Sequence, residues 1–194
     1  MNDFFYSTFT DLKAKKLLLK KGDALFLQNN AVVNMYYITT GRLILQRNMH
    51  DGSTVILHVA FPGEIIAEAS LFSKENHCSA IVDMTTELSY VKKLDLMAFL
   101  EKNPVAMKQL LTVYAHQIRD LRAINEIKNI RSATERTLAF FKNEMNANKE
   151  VTLSISLKDI AYRIGLSHET FYRTLKDLEK TQQIIRHKQL IKLL

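Results

Sequence analysis

The spacing of glycine and proline divides this chain into two parts with different expected secondary structure. Four of the five glycines fall in the first third of the 194 residues: Gly22, Gly41, Gly52 and Gly63. After Pro104, neither residue type occurs again until Gly165. Closely spaced glycines are typical of turns between short strands, whereas the later stretch carries apolar residues at helical spacing. The sequence therefore predicts strands first and helices afterwards.

Short apolar runs between the early glycines read as strands of an antiparallel sheet. These runs cover residues 24–27, 35–39, 42–47, 54–61 and 88–94. The segment 50–53 contains Asp51-Gly52, which readily adopts the positive φ of a hairpin turn. Short strands with turns at this spacing indicate a sandwich or barrel. We predict an α+β protein whose amino-terminal domain, residues 1–102, is an antiparallel β jelly-roll barrel.

A long helix is predicted from Asn103, which can cap it, and Pro104, which suits the first helical position. Apolar residues follow at alternating steps of four and three, and a polar residue continues the series: Met107, Leu111, Tyr114, Ile118, Leu121 and Asn125. This spacing predicts a coiled-coil seam, with Asn125 able to set its register. We interpret residues 103–131 as a dimerisation helix. A second stripe, Leu110, Ile124 and Ile127, is available to face the barrel. The alternative is one long helix packed wholly on its own domain.

The segment 156–178 predicts two helices joined by a tight turn. Ser156 caps the first helix, Ala161 is small enough for a close helix crossing, and Gly165 suits the left-handed end of a helix. Ser167 then caps the second helix. A helix over 134–146, a strand over 151–154 and a strand pair over 184–194 surround this segment. Residues 132–194 are therefore predicted to form a winged helix-turn-helix domain.

The outward face of the second helix carries side chains suited to reading DNA. We assign DNA contacts to its cap and exposed positions: Ser167, His168, Glu169, Thr170, Tyr172, Arg173 and Lys176. A carboxylate such as Glu169 accepts a hydrogen bond from cytosine N4, and a guanidinium such as Arg173 forks onto guanine O6 and N7. The alternative without a DNA contact is that Glu169 and Arg173 form only an i, i+4 salt bridge on a solvated helix.

Charge and composition agree with a nucleic-acid partner. Residues 1–100 hold 10 Lys and Arg against 10 Asp and Glu, whereas residues 101–194 hold 17 against 10. The whole net charge of +7 thus lies in the second half, which suits a polyanion such as double-stranded DNA. We expect a cytoplasmic protein, because the chain contains a single cysteine, no apolar run long enough to span a membrane and no secretory signal. No P-loop, nucleophile elbow or paired metal-ligand motif indicates an enzyme.

The motifs together resemble the CRP/FNR family of bacterial transcription regulators. The resemblance rests on Gly63-Glu64, on residues 68–72 (EASLF), on Ser79-Ala80, on Asn103-Pro104 and on residues 167–173 (SHETFYR). It implies an effector-sensing barrel of the cyclic-nucleotide-binding type, a long dimerisation helix and a winged-helix DNA reader. It further implies that a homodimer binds a palindromic operator, with Glu169 and Arg173 reading a TGA-type core in each half-site. RNA polymerase is a further expected partner if the protein activates transcription.

The resemblance also places an effector pocket, which departs from the family pattern. Its expected residues are Glu68, Ala69, Cys78, Ser79, Leu121 and Arg122. Cyclic-nucleotide binders of the family have a glycine where this chain has Ala67 and a phosphate-binding arginine where it has Cys78. Without that arginine a buried phosphate lacks its charge-assisted contact, which argues against cyclic AMP. One cysteine excludes an iron–sulfur cluster of the family type, and no metal site is predicted.

Three readings of the sensing domain stay open. Haem is one, because His77 and Cys78 are adjacent, although an extended chain directs them to opposite faces. A different small molecule, or no ligand at all, is the second. The third is a cyclic-nucleotide-binding regulatory module of a signalling protein that does not bind DNA.

Overall fold

The computed structural model of the protein describes residues 3–153 and 155–194. The chain divides into two compact units, the first ending at Val113 and the second beginning at Tyr114. This boundary lies inside the long helix, within the segment 103–131 that is predicted to be a separate dimerisation helix. None of the helices in the described parts of the chain is long and apolar enough to cross a membrane.

The first unit is built on one antiparallel sheet. Its elements are helix α1 (Asp3–Asp11), strands β1 (Lys15–Leu19), β2 (Ala24–Phe26), β3 (Asn34–Asn48), β4 (Thr54–Ala60), β5 (Ile65–Ile66) and β6 (Ser79–Lys92), and helix α2 (Lys93–Lys102). The sheet order is β1-β6-β3-β4, with β2 also paired to β6 and β5 to β3. The predicted antiparallel sheet is confirmed. The predicted barrel is not found, because the described strands leave β1 and β4 as unpaired edges of the path rather than closing it.

The sequence predicts two strands separated by a turn at Gly41, but the structure has a single strand, β3, in their place. It runs unbroken from Asn34 to Asn48, and Gly41 adopts φ +91° within it. A Cβ at Gly41 would lie 2.5 Å from Cα of Thr86 on β6, so this glycine permits a close approach of two strands. Met35, Ile38 and Leu88 on these two paired strands belong to the core, and each is at most 1% exposed. The sequence did not predict α1, β1, β5, the first half of β6 or α2. Residues 93–94, predicted as the end of a strand, begin α2 instead.

Helix α3 spans Pro104–Asn129 and begins as predicted. The Oδ1 atom of Asn103 accepts a hydrogen bond of 3.1 Å from the backbone N–H of Ala106. The proposed second stripe is corrected, because Ile127 is buried in the core of the second unit and Ile124 packs against that core. These two residues belong to the second unit, whereas Leu110, the third member of the stripe, is 2% exposed and belongs to the first unit.

The second unit combines helices with a small sheet. Its elements after α3 are α4 (Ala133–Glu144), β7 (Glu150–Thr152), α5 (Leu157–Arg163), α6 (His168–Lys180), β8 (Ile184–His187) and β9 (Leu190–Leu193). The sheet order is β7-β9-β8. The last residue of the strand predicted over 151–154 lies outside the described residues. Phe141, Phe171, Leu175 and Ile191 are completely buried and join α4, α6 and the sheet in one core.

Candidate nucleic-acid interface and effector site

Helices α5 and α6 are joined by a tight turn whose parts were foreseen from the sequence. The hydroxyl of Ser156 accepts the backbone N–H of Asp159 at 3.2 Å and so caps α5. Gly165 adopts φ +70° at the end of this helix, where a residue with a Cβ is disfavoured. Ala161 is 1% exposed, as expected where two helices cross closely. Local signals alone therefore set the start and the end of α5.

Arg136 on α4 holds this turn against the segment that follows α3, a contact that sequence reasoning missed. Its Nε and Nη2 donate hydrogen bonds of 2.8 and 2.5 Å to the carbonyl oxygen of Ile130. Its Nη1 donates to the carbonyl oxygens of Gly165, at 3.0 Å, and Ile164, at 3.4 Å. One rigid guanidinium thus joins the end of the long helix to the turn between α5 and α6.

Helix α6 presents one buried and one exposed face. Phe171, Leu175 and Leu178 are fully buried, which leaves Glu169 and Arg173 exposed on the other side. Within the described chain, the side chains of Glu169 and Arg173 form no salt bridge with each other, so the salt-bridge alternative for this pair is not what the structure shows. Both groups face solvent with their hydrogen-bonding capacity available.

The cap of α6 uses two of the predicted contact residues. The Ser167 hydroxyl accepts the backbone N–H of Thr170 at 3.1 Å and lies 2.9 Å from the Thr170 hydroxyl oxygen. Ser167 thereby fixes where α6 begins, and Thr170 is half-buried beneath it. Lys176, two turns further along, is exposed.

His168 and Tyr172 form an aromatic pair at the amino-terminal end of α6. Their ring centroids are 4.3 Å apart, with the planes inclined by 57°. Tyr172 packs partly against the core of the second unit, whereas His168 is exposed. The tyrosine ring therefore contacts both the core and the histidine ring.

The predicted dimerisation seam lies along α3 as an exposed apolar stripe. Leu111, Ile118 and Leu121 are 60%, 49% and 69% exposed. Met107 and Tyr114 are half-buried, and Asn125 is exposed. Three large apolar side chains exposed to water at the spacing of a coiled-coil seam indicate a surface that associates with another apolar surface.

Two of the predicted effector-pocket residues, Glu68 and Cys78, lie close enough for their charges to interact. Burial raises the pKa of the Glu68 carboxyl, and the neighbouring Glu64 adds to this rise, while backbone N–H groups and His58 oppose it. Ala67, which precedes Glu68, has φ +74°. The backbone therefore keeps the conformation that favours glycine even though the residue is alanine.

Cys78 is a buried and weakly acidic thiol. Burial raises its pKa, the carboxylate of Glu68 raises it further, and Arg47 lowers it. Ser79 is 4% exposed, and its hydroxyl oxygen accepts the backbone N–H of Gln28 at 2.9 Å. A thiol that resists ionisation is a small core residue rather than a nucleophile or a redox switch.

The remaining predicted pocket residues, Ala69, Leu121 and Arg122, are all exposed. Leu121 and Arg122 belong to the second unit, and both are exposed on α3. His77 is exposed while Cys78 is buried, so the two side chains face opposite sides, as expected for an extended chain. Among the described residues, no group of three or more His, Cys, Asp or Glu side chains is placed to hold a metal ion.

The residues present do not fit a cyclic nucleotide in the manner of the family. A phosphate beside Cys78 would meet an un-ionised thiol and the nearby carboxyl group of Glu68 at the position where the family has an arginine, and Arg47 is the cationic side chain that acts on this thiol. Burying an anion without a paired cation is costly. Position 78 itself therefore supplies no positive charge to a phosphate.

Comparison with known proteins finds a family model, curated relatives and a solved structure that resemble this chain. Residues 16–103 match the family model of the cyclic nucleotide-binding domain. The nitrogen fixation regulation protein FixK of Bradyrhizobium diazoefficiens is 23% identical over 173 residues, which cover 86% of this chain and 72% of FixK. The cAMP-activated global transcriptional regulator CRP of Escherichia coli is 27% identical over 169 residues, covering 82% and 80%. The structure of FixK2 from Bradyrhizobium japonicum superposes with a TM-score of 0.69 at 20% identity, covering 93% and 92%.

A cyclic nucleotide-binding-type sheet domain followed by helices is the architecture of a CRP-like regulator. The relatives are transcription regulators and not enzymes. The resemblance found in the motifs is confirmed, because the relatives that match most of this chain are CRP/FNR-type transcription regulators.

Proposed function

We propose that this protein is a homodimeric, sequence-specific DNA-binding transcription regulator. In this proposal α5 and α6 are a helix-turn-helix, the hairpin β8–β9 is its wing, and α3 is the dimerisation helix. The observation that carries the proposal is the exposed face of α6, where Glu169 and Arg173 stand one helical turn apart and unpaired with each other. Such a face fits the major groove of double-stranded DNA.

Base reading is assigned to Glu169 and Arg173, which suit the cytosine and the guanine of the single G·C pair in a TGA-type core. His168 and Tyr172 contact one another, so we assign the neighbouring outer base pairs to this pair as a unit. Ser167 and Thr170 at the helix cap and Lys176 further along are assigned to the phosphate backbone.

Dimerisation is assigned to the exposed seam of Leu111, Ile118 and Leu121, with Met107, Tyr114 and Asn125 at its other positions. Two recognition helices must lie about 34 Å apart to enter successive major grooves of one palindrome. The two recognition helices have different spacings in the two states of the dimer, and an effector acts by binding to one state more tightly than to the other.

The sensing site is assigned to Glu68, Ala69, Cys78 and Ser79, with Leu121 and Arg122 from α3 as further members. Cyclic AMP is the ligand of some relatives by name, but the Cys78 site argues against a phosphate bound in their manner here. Haem and other small molecules stay open as effectors. RNA polymerase is the expected protein partner if the regulator activates transcription.

The test is selection of binding sites from a random-sequence DNA library by the full chain, followed by gel-shift titration. We expect an enriched palindrome with a TGA-type core. Arg173→Ala should weaken binding to the selected site by roughly 1–3 kcal/mol and relax preference at one base pair. Arg131→Ala, which removes an exposed arginine outside α6, is the control and should leave base preference unchanged. Recovery of no enriched sequence would overturn the proposal in favour of a sensing module without DNA binding.

A further inference from the structure

The first unit contains a cavity of about 300 Å³ that none of the predicted effector-pocket residues lines. Its walls come from β2, the loop after it, the start of β3 and the segment before β6. A second cavity of about 210 Å³ adjoins it, because Leu25, Asn34 and Tyr36 line both. Among the described residues, no charged side chain lines either cavity. Apolar cavities of this size that carry a few polar groups are typical of small-molecule sites.

Aromatic rings form part of the walls of these cavities. The rings of Phe26 and Tyr36 stack with their centroids 6.0 Å apart and their planes inclined by 27°. The Tyr36 ring also lies 6.2 Å from the ring of Tyr90 on β6. Further aromatic rings pack well against such groups in offset or edge-on geometry. The walls therefore favour a flat and uncharged ligand.

Asn76, in the wall of the larger cavity, carries a buried hydrogen-bond acceptor without a donor. Asn76 is 4% exposed, and its Nδ2 donates hydrogen bonds to the carbonyl oxygens of Asn30, at 3.0 Å, and Ala31, at 3.4 Å. Its Oδ1 atom is buried and has no hydrogen-bond partner among the described residues. A buried acceptor without a donor is destabilising, and native proteins rarely keep one unless a bound molecule or water supplies the donor.

The backbone around Asn76 holds this side chain in place. The N–H of Asn76 donates to the carbonyl oxygen of Asn30 at 2.9 Å, and its own carbonyl oxygen accepts the N–H of Asn29 at 2.8 Å. Three residues later, the hydroxyl oxygen of Ser79 accepts the N–H of Gln28 at 2.9 Å. The loop after β2 and the segment before β6 are thus tied together, so the acceptor is positioned before a ligand binds.

We propose that the larger cavity binds a neutral aromatic molecule of one or two rings, which donates an N–H or O–H hydrogen bond to Oδ1 of Asn76. The ring of the ligand packs against Phe26 and Tyr36. An apolar cavity of about 150 Å³ holds benzene, so the volume here admits a ligand of this size. The inference goes beyond the proposed function, because it concerns a site in the first unit and does not depend on DNA binding.

The experiment uses indole as the probe, because it is flat and uncharged and carries one N–H donor. Benzofuran is its matched control, with the same shape and an oxygen atom in place of the N–H. Methyl NMR spectra of the full chain, labelled at alanine, leucine and valine, report where each compound binds. Indole should give saturable shifts at Leu25, Ala31 and Val33, with a Kd of about 1 mM or lower. Benzofuran should bind roughly fivefold more weakly, because it lacks one neutral hydrogen bond.

Two variants test the assigned residues. Val33→Trp adds bulk at the wall of the cavity, where Val33 is 59% exposed, and should abolish saturable binding. Leu27→Trp is the matched control, since Leu27 is 48% exposed and lines neither cavity, and it should bind indole as the parent does. Asn76→Ala should remove the preference for indole over benzofuran. If Asn76→Ala does not fold, the preference of the parent and the loss in Val33→Trp decide the outcome.

Equal affinities of the parent for indole and benzofuran would overturn the inference, as would the absence of saturable shifts at the cavity. Shifts centred on Ala67 and Ala69 would also overturn it, because they place indole beside Glu68 in the predicted effector pocket. Unchanged indole binding by Val33→Trp would contradict the assigned cavity. Failure of the parent protein to select a DNA sequence is a separate result that bears only on the proposed function.

Discussion

The guanidinium of Arg136 donates a hydrogen bond of 3.0 Å to the carbonyl oxygen of Gly165, in the turn between α5 and α6. The same group donates twice to Ile130, just beyond the end of α3. A side chain that joins these two points fixes the orientation of the recognition helix relative to the end of the long helix. In the proposed function, that orientation decides how α6 is presented to DNA.

Replacing Arg136 by lysine should lower the stability of the second unit. The positive charge is retained, but a lysine cannot donate to carbonyl oxygens on both sides at once. We expect a loss of roughly 1–3 kcal/mol in the free energy of unfolding, because carbonyl groups near the core lose their donors. Urea unfolding followed by circular dichroism measures this, with the exposed Arg131→Lys as control. Equal stability of the two variants would show that the contact is dispensable.

Changing both Leu111 and Ile118 to glutamate should convert the dimer to a monomer. Charges placed along an apolar seam are desolvated on association and repel their counterparts. Light scattering reports the mass in solution. Val105→Glu is the matched control, since Val105 is 69% exposed on the same helix but lies off the seam. Persistence of the dimer in the double variant would move the interface to another surface.

Alanine at Gly41 should destabilise the first unit by about 3 kcal/mol or more. Its Cβ would lie 2.5 Å from Cα of Thr86, and φ +91° is already unfavourable for alanine. Gly52→Ala separates the two effects, because Gly52 has φ +81° with nothing within 4 Å of the added atom. Thermal unfolding of both variants compares them. Similar losses would mean that backbone strain alone, and not the close approach of β6, requires the glycine.

Glu68→Gln should stabilise the protein near neutral pH. Burial raises the pKa of Glu68 in the folded state above its ordinary value of 4.5. The folded state then binds this proton more tightly than the unfolded state, so its contribution to stability falls as pH rises from about 4.5 through the folded pKa. The advantage of the variant should therefore be largest above that pKa and vanish at acidic pH.

Urea unfolding at a series of pH values tests this expectation, with the exposed Glu75→Gln as control. A gap between Glu68→Gln and the parent that widens on acidification would mean that the folded state favours the ionised carboxylate, contrary to the expected direction.

Sequence alone determined the features that depend on near neighbours in the chain. Ser156 and Ser167 cap helices, and Gly165 ends one, because capping is decided within four residues. The exposed face of α6 followed from the 3.6-residue period, which separates Glu169 and Arg173 from the buried stripe. The motifs in both halves also sufficed to find the resemblance to CRP/FNR-type regulators.

Tertiary structure decided whatever depends on residues distant in sequence. In sequence, Gly41 cannot be distinguished from a turn glycine. Only its contact with Thr86, 45 residues later in the chain, shows that it permits the close approach of β3 and β6. Ile127 carries the same apolar signal whichever domain it faces, and packing assigned it to the second unit. Arg136 resembles any surface arginine until the carbonyl groups of Ile130 and Gly165 converge on it. The type of a residue indicates whether its side chain will be buried or hydrogen-bonded, but it does not indicate which residue will be the partner. Partners that are distant in sequence are therefore known only from the folded chain.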